Sequence, residues 1–137
     1  MTRDEIESVV RKFYADRTTN DLDRTFETWA DNASLDYAGC SSASPFPCHI
    51  EGLPAVREAC AQVLKTWPWK KGDIQSLIID GNKAAVHYRL TTGFSPTGEE
   101  LETDVVDLIT LKNGKIVGYV EFVDTAKVVQ LANAAAA

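Results

Sequence analysis

The chain has 137 residues, enough for one domain with a real core and too few for two comfortable ones. Its composition, 45% hydrophobic, 25% charged and 9% aromatic, is that of an ordinary globular protein, with no low-complexity block except the terminal run ANAAAA. Twenty acidic against fourteen basic residues give a net charge of -6, which repels phosphate backbones and anionic lipid headgroups, so neither nucleic acid nor a membrane is an expected partner.

The opening MTRDEIES has neither a basic segment nor an apolar run of signal-peptide length, and no stretch approaches the ~20 apolar residues of a membrane helix, so a cytoplasmic protein is expected. Thr2 and Glu5 spell a capping box, and Ile6, Val9, Val10 and Phe13 follow at helical spacing, with Tyr14 at the edge of the stripe. Asn20 or Asp21 caps a second helix that carries Leu22, Phe26 and Trp29 on one face and ends near DNAS. A strand, SLDYA, comes next, with Tyr37 turned inward and Asp36 outward. The loop CSSASPFPCHIEG then leads to a third helix that starts at Leu53 and Pro54 and turns Val56, Cys60, Val63 and Leu64 to the core. Cys40 and Cys48 share this loop and can pair under oxidation, but with Cys60 they make an odd count, and in a cytosolic protein no disulfide framework is expected. His49 and His87 are the only histidines, and neither CxxC nor HExxH occurs, so no metal site is expected.

From Asp73 onward the periodicity changes from helical to alternating. IQSLIID, KAAVHYRLTTGF, ETDVVDLITL and KIVGYVEFVD read as four strands joined by DGNK, SPTGEE and KNGK. Short turns between consecutive strands imply an antiparallel meander, and helices gathered at the N-terminal end imply an α+β fold. Residues 1–130 form the single domain and 131–137 a frayed C-terminal tail. Within AAVHYRLTT, Val86, Tyr88, Leu90 and Thr92 take the inner face, and His87, Arg89 and Thr91 the outer one.

The ordered set NDLDRTFETWADNASLDY, IEGLPAVREACAQVLK, DGNKAAVHYRL and VVDLITLKNGKIVGYVEFVD resembles the NTF2-like superfamily, in particular its ketosteroid isomerase and SnoaL-like polyketide cyclase branch. The resemblance implies a cone-shaped α+β barrel in which three N-terminal helices pack on a strongly curved antiparallel sheet. It also implies an apolar cavity at the open end, and a homodimer through the outer sheet face around His87, Arg89 and Thr91.

The turn LKNGKI sets which residues reach the cavity. A two-residue type I′ turn at Asn113 and Gly114 puts Asp107 opposite Val120; a three-residue loop with Gly114 in a bulge pairs Asp107 with Tyr119 and Val105 with Glu121. The three-residue loop is preferred, because it collects Asp107, Tyr119 and Glu121 on one face, as the resemblance also implies. Asp107 falls where the steroid isomerases carry a protonated aspartic acid that donates a hydrogen bond from an apolar site. If it sits in an apolar cavity near Tyr119 with no Lys or Arg facing it, burial raises its pKa. Two departures stand against steroid isomerisation itself. The oxyanion tyrosine of that branch falls on Phe13, with Tyr14 one helical step of ~100° away, and its catalytic aspartate falls on Tyr37. The spelling LDY is also similar to scytalone-dehydratase-like proteins, whose strand tyrosine positions a water, although their sheet histidines have no counterpart here.

The catalytic candidates are therefore Asp107 and Tyr37 as hydrogen-bond donors and Glu121 as acid or base. Phe13, Tyr14, Trp29, His49, Cys60, Tyr88, Leu90, Val105 and Tyr119 are the candidate substrate-binding residues. The expected activity is cofactor-free isomerisation, cyclisation or dehydration of a small hydrophobic polyketide-, steroid- or terpenoid-like ligand. The alternative is a non-catalytic binding or oligomerisation module.

Overall fold

The computed structural model of the chain describes residues 1–39 and 46–136. Helix α1 (Arg3–Arg17) opens on the capping box: the Glu5 amide donates to the Thr2 hydroxyl at 3.1 Å, and the Thr2 amide donates to the Glu5 carboxylate at 2.7 Å. Its buried stripe runs through Ile6, Val10, Phe13, Tyr14 and Arg17. Helix α2 (Leu22–Thr25), capped by Asp21, is a single turn, so the expected second helix ends well before DNAS. The reason is tertiary. The Thr28 carbonyl accepts from the Ile116 amide at 2.8 Å, and strand β1 (Trp29–Tyr37) takes up DNAS as sheet. Trp29 still packs against Phe13 and Phe26 against Trp29, so a turn plus a strand satisfies the spacing that suggested a helix.

Next come β2 (His49–Glu51), α3 (Leu53–Thr66), β3 (Trp69–Asp80), β4 (Lys83–Phe94), β5 (Glu99–Lys112), β6 (Lys115–Phe122) and α4 (Thr125–Ala136). The six strands form one curved, unclosed sheet in the order β2-β1-β6-β5-β4-β3. Strands β3 to β6 are the expected antiparallel meander, while β1 runs parallel to β6. Helices α1 and α3 cover the concave face, and the core lies between them and the sheet. After β6, the segment read as a tail from 131 continues helix α4, which buries Val128 against Trp67 and Phe94.

The β5–β6 hairpin differs from expectation at the turn and in the pairing, where Asp107 meets Glu121 rather than Tyr119, and agrees with it only in which residues face inward. Asn113 (φ 51°) and Gly114 (φ 81°) connect the paired Lys112 and Lys115 directly, both left-handed as a type I′ turn requires, so the three-residue loop does not form. Farther in, Leu111 pairs with Ile116 but Thr110 with Gly118, and the extra residue, Val117, is a bulge. That slip turns the register back. Asp107 faces Glu121, Ile109 faces Tyr119, and Asp107, Tyr119 and Glu121 share the inner face.

On the outer face His87 and Arg89 are paired with Asp104, at 2.9 and 2.5 Å, while Thr91 is buried by its own chain and does not belong to the exposed surface. Cys60 is a buried free thiol and Cys48 is disulfide-bonded; Cys40 lies outside the described residues. Among the described residues no helix is long and apolar enough to cross a membrane.

Candidate active site

Strand pairing puts the three catalytic candidates on one rung of the concave face. Tyr37 lies beside Glu121 in the parallel β1–β6 pair, Glu121 lies opposite Asp107, and Asp107 lies opposite Val86. The neighbouring rung holds Leu35, Tyr119, Ile109 and Ala84. Side chains on such rungs stand in contact across the strands.

The last turns of α1 bring Tyr14 and Arg17 onto these rungs. The Tyr14 phenol donates to Asp107 Oδ2, and the Tyr119 phenol donates to the same oxygen at 2.5 Å. Arg17 Nη2 donates to Glu121 Oε1 at 2.9 Å, Nη1 donates to Tyr119 Oη at 3.2 Å, and Nη1 stands 3.5 Å from Asp107 Oδ2. The guanidinium carbon lies 4.5 Å from the Trp69 ring centre and 5.6 Å from that of Tyr88. All of this is interior: Arg17 is 3% exposed, Glu121 6% and Asp107 0%.

Sequence reasoning missed Arg17, and a signal for it was present. It falls three residues after Tyr14, four after Phe13 and seven after Val10, so it continues the buried stripe of α1. The condition that no Lys or Arg faces Asp107 is therefore not met. The direction of its pKa survives, because burial, followed by the nearby Glu121 carboxylate, raises it from 3.8 to about 7 against the opposing pull of Arg17, Tyr119 and Tyr14. Burial works against the charge of Arg17, but Glu121, Tyr119 and Asp107 more than offset it, and the guanidinium stays charged. The hydrogen bond that Phe13 cannot donate comes from Tyr14. Phe13 and Tyr14 both face inward, Phe13 packing edge-on to Tyr119 while the Tyr14 phenol reaches Asp107.

A cavity of about 50 Å³ opens beside this centre. Arg17, Glu121, Asp124 and Tyr37 contribute its charged and phenolic groups, and Leu90, Val105 and Trp69 are among its apolar walls. Asp107, Tyr14 and Tyr119 are not in the lining; they stand behind Glu121 and Arg17. Phe13, Trp29, Cys60 and Tyr88 belong to the surrounding core. Burial pushes the Cys60 thiol up to about 12, with Glu121 adding to the effect, so at neutral pH it is no nucleophile. Burial also raises the Tyr37 phenol, which stacks on Phe46 at 4.9 Å. His49 does not close over the cavity. As a strand residue it is exposed, held by Asp36 at 2.5 Å and Glu51 at 3.1 Å. Among the described residues no group of three or more His, Cys, Asp and Glu is placed to hold a metal ion.

Asp124 and Val128 supply one side of the cavity from the start of α4. Val128 is the helix's only fully buried residue, so truncation after Asp124 is expected to cost about 2 kcal/mol, the burial of one such side chain, and to expose Trp67. Urea unfolding gives the first quantity and a red shift of tryptophan emission the second.

A family model described as SnoaL-like domain matches residues 10–119. Among curated proteins none matches the chain. Among solved structures, the chain is similar to a protein of Bacillus subtilis provisionally named an isomerase (TM-score 0.84, 20% identity, 95% of this chain and 94% of that one). It is also similar to a protein of Jannaschia sp. CCS1 provisionally named a SnoaL-like polyketide cyclase (TM-score 0.78, 17% identity, 92% and 90% covered). An NTF2-like protein of unknown function from Burkholderia pseudomallei gives a TM-score of 0.82 at 17% identity, with 96% and 98% covered. At these identities the structural likeness establishes the fold, and chemistry must be argued from the site.

Proposed function

The chain belongs to the SnoaL-like domain family, and from that premise we propose that it is a small-molecule pocket protein that catalyses isomerisation, cyclisation or dehydration by proton transfer without a cofactor. One observation carries the reading. Two carboxyl groups, Asp107 and Glu121, face each other in an apolar interior, one lining the cavity and the other holding its proton to about pH 7. A carboxylate on the cavity takes a proton from carbon, and the neutral Tyr37 phenol beside it donates a hydrogen bond to the oxygen on which charge develops. The apolar walls suit a hydrophobic polyketide-, steroid- or terpenoid-like substrate.

The test is deuterium incorporation from D2O into a panel of steroid enones, polyketide ketones and terpenoid ketones, read by mass spectrometry. Exchange by the wild type that slows at least about tenfold in Glu121→Gln supports the reading. Ligands that raise the melting temperature but never exchange would replace it with the second reading, a non-catalytic binding or oligomerisation module. The cavity size favours only the oligomerisation form of that alternative: about 50 Å³ is room for a few waters, whereas a benzene-binding cavity needs roughly 150 Å³. Turnover of a ring system therefore requires the walls to part.

The proposal includes a homodimer through the outer sheet face. Ile78, Val106, Leu108 and Phe122 are exposed there beside His87 and Arg89. Sedimentation at tens of micromolar is expected to show a dimer that Leu108→Lys splits into monomers; a monomeric wild type would remove this part. The place of work is proposed to be the cytoplasm, and recovery from an exported fraction would overturn that.

A further inference from the structure

We propose that Arg17 is the positioning residue of this centre: it holds Glu121 as the ionised carboxylate on the cavity and leaves the centre's proton on Asp107 behind it. The inference rests on the acid–base reading above and assigns the roles within it. Two carboxyl groups opposite each other in an apolar interior cannot both ionise cheaply, so one proton stays with the pair. Which group keeps it depends on where the cation and the donors lie. Arg17 gives Glu121 a charge-assisted hydrogen bond at 2.9 Å. Its contact with Asp107 is 3.5 Å long, made by a nitrogen that also donates to Tyr119 at 3.2 Å. Asp107 otherwise receives only two neutral phenols, both on Oδ2, and its Oδ1 has no partner among the described residues.

The other groups around the guanidinium do not compete for this proton. Tyr14 on α1, Tyr37 on β1, Tyr88 on β4 and Tyr119 on β6 are all raised by burial, as is Cys60 on α3. Asp73 on β3 acts on Tyr88, and Asp124, which precedes α4, lines the cavity. Arg17 is the one cation acting on this set among the described residues.

The guanidinium is also fixed in place. It lies against Trp69 and Tyr88, and the Tyr88 ring occupies the space that a Cβ would need at Gly72. A small residue on β3 thus seats the ring that flanks the arginine, and the arginine selects the carboxylate.

The experiment is carbon-13 NMR of the Asp and Glu carboxyl groups in the intact chain at pH 6, without ligand. The wild type is expected to show Glu121 as carboxylate and Asp107 as carboxylic acid. In Arg17→Met, Glu121 is expected to gain a proton at the same pH, and in Arg17→Lys, which restores the charge, to lose it again. Glu121 protonated in the wild type, or still ionised in Arg17→Met, overturns the proposal. If Arg17→Met does not fold, Arg17→Met combined with Glu121→Gln is expected to fold, because the buried carboxylate that needs the cation is gone. Failure of that double variant would show that Arg17 serves packing, and would also overturn the proposal. The readout needs no turnover: a negative deuterium screen removes the proposed activity and leaves this assignment, while a protonated Glu121 removes the assignment and leaves the screen to decide activity.

Discussion

Asp107→Asn is expected to keep the fold and to raise the unfolding free energy at pH 8 by about 4 kcal/mol over wild type, with the gain falling to near zero at pH 4. The sign follows from the raised pKa. The folded chain holds the proton to about pH 7 and the unfolded chain releases it near 3.8, so the stability present below 3.8 is lost progressively as pH rises through that window. At roughly 1.36 kcal/mol per pH unit the window amounts to the stated cost. Asparagine has no proton to lose, and its carbonyl oxygen can accept from Tyr14 and Tyr119 as Oδ2 does. Urea titrations of both proteins at pH 4, 6 and 8 measure the difference. A gain of equal size at all three would mean that Asp107 does not titrate inside this window.

Gly72→Ala is expected to cost about 3 kcal/mol or more, far above the usual effect of adding one methyl group. An ideal Cβ at Gly72 falls on the Cε1, Cζ and Oη atoms of Tyr88, a ring 1% exposed and packed 4.7 Å from Tyr14. Neither partner can give, because the glycine is in a paired strand and the ring is in the core. Replacing the ring tests the cause. In the Gly72→Ala background, Tyr88→Leu should restore about 2 kcal/mol relative to the sum of the two single losses. Strictly additive losses would place the damage elsewhere in β3.

How much of this was legible without coordinates varies from element to element. The capping box at Thr2 and Glu5, the start of α3 at Leu53 and the β3–β6 meander were all readable, since each is set by residues within one helical turn or one short hairpin. The inner face of β4 was readable for the same reason, alternation along a single strand. Helix α2 was misjudged because Leu22, Phe26 and Trp29 satisfy a helical spacing and also a turn followed by a strand. The parallel partner that decides between them, β6, lies far away in sequence. Asp107, Tyr119 and Glu121 were correctly put on one face, but the turn assigned to do it was not the one formed. The type I′ turn alone would have turned Asp107 away, and the bulge at Val117 reverses it.

By itself, then, the sequence determined what local periodicity can determine: the α+β class, the helix stripe of α1 and the alternation along each single strand. Tertiary structure decided the register of β5 against β6, the joining of Tyr37, Glu121 and Asp107 into one rung, and the size of the cavity. It also decided the pairing of Arg17 with Glu121 across 104 positions of chain. The physical reason is the range of the interactions. A capping hydrogen bond or an amphipathic stripe involves neighbours a few residues apart. The protonation of a buried carboxyl instead depends on which charges and donors the whole fold brings within about 4 Å of it, and no spacing along the chain encodes that distance.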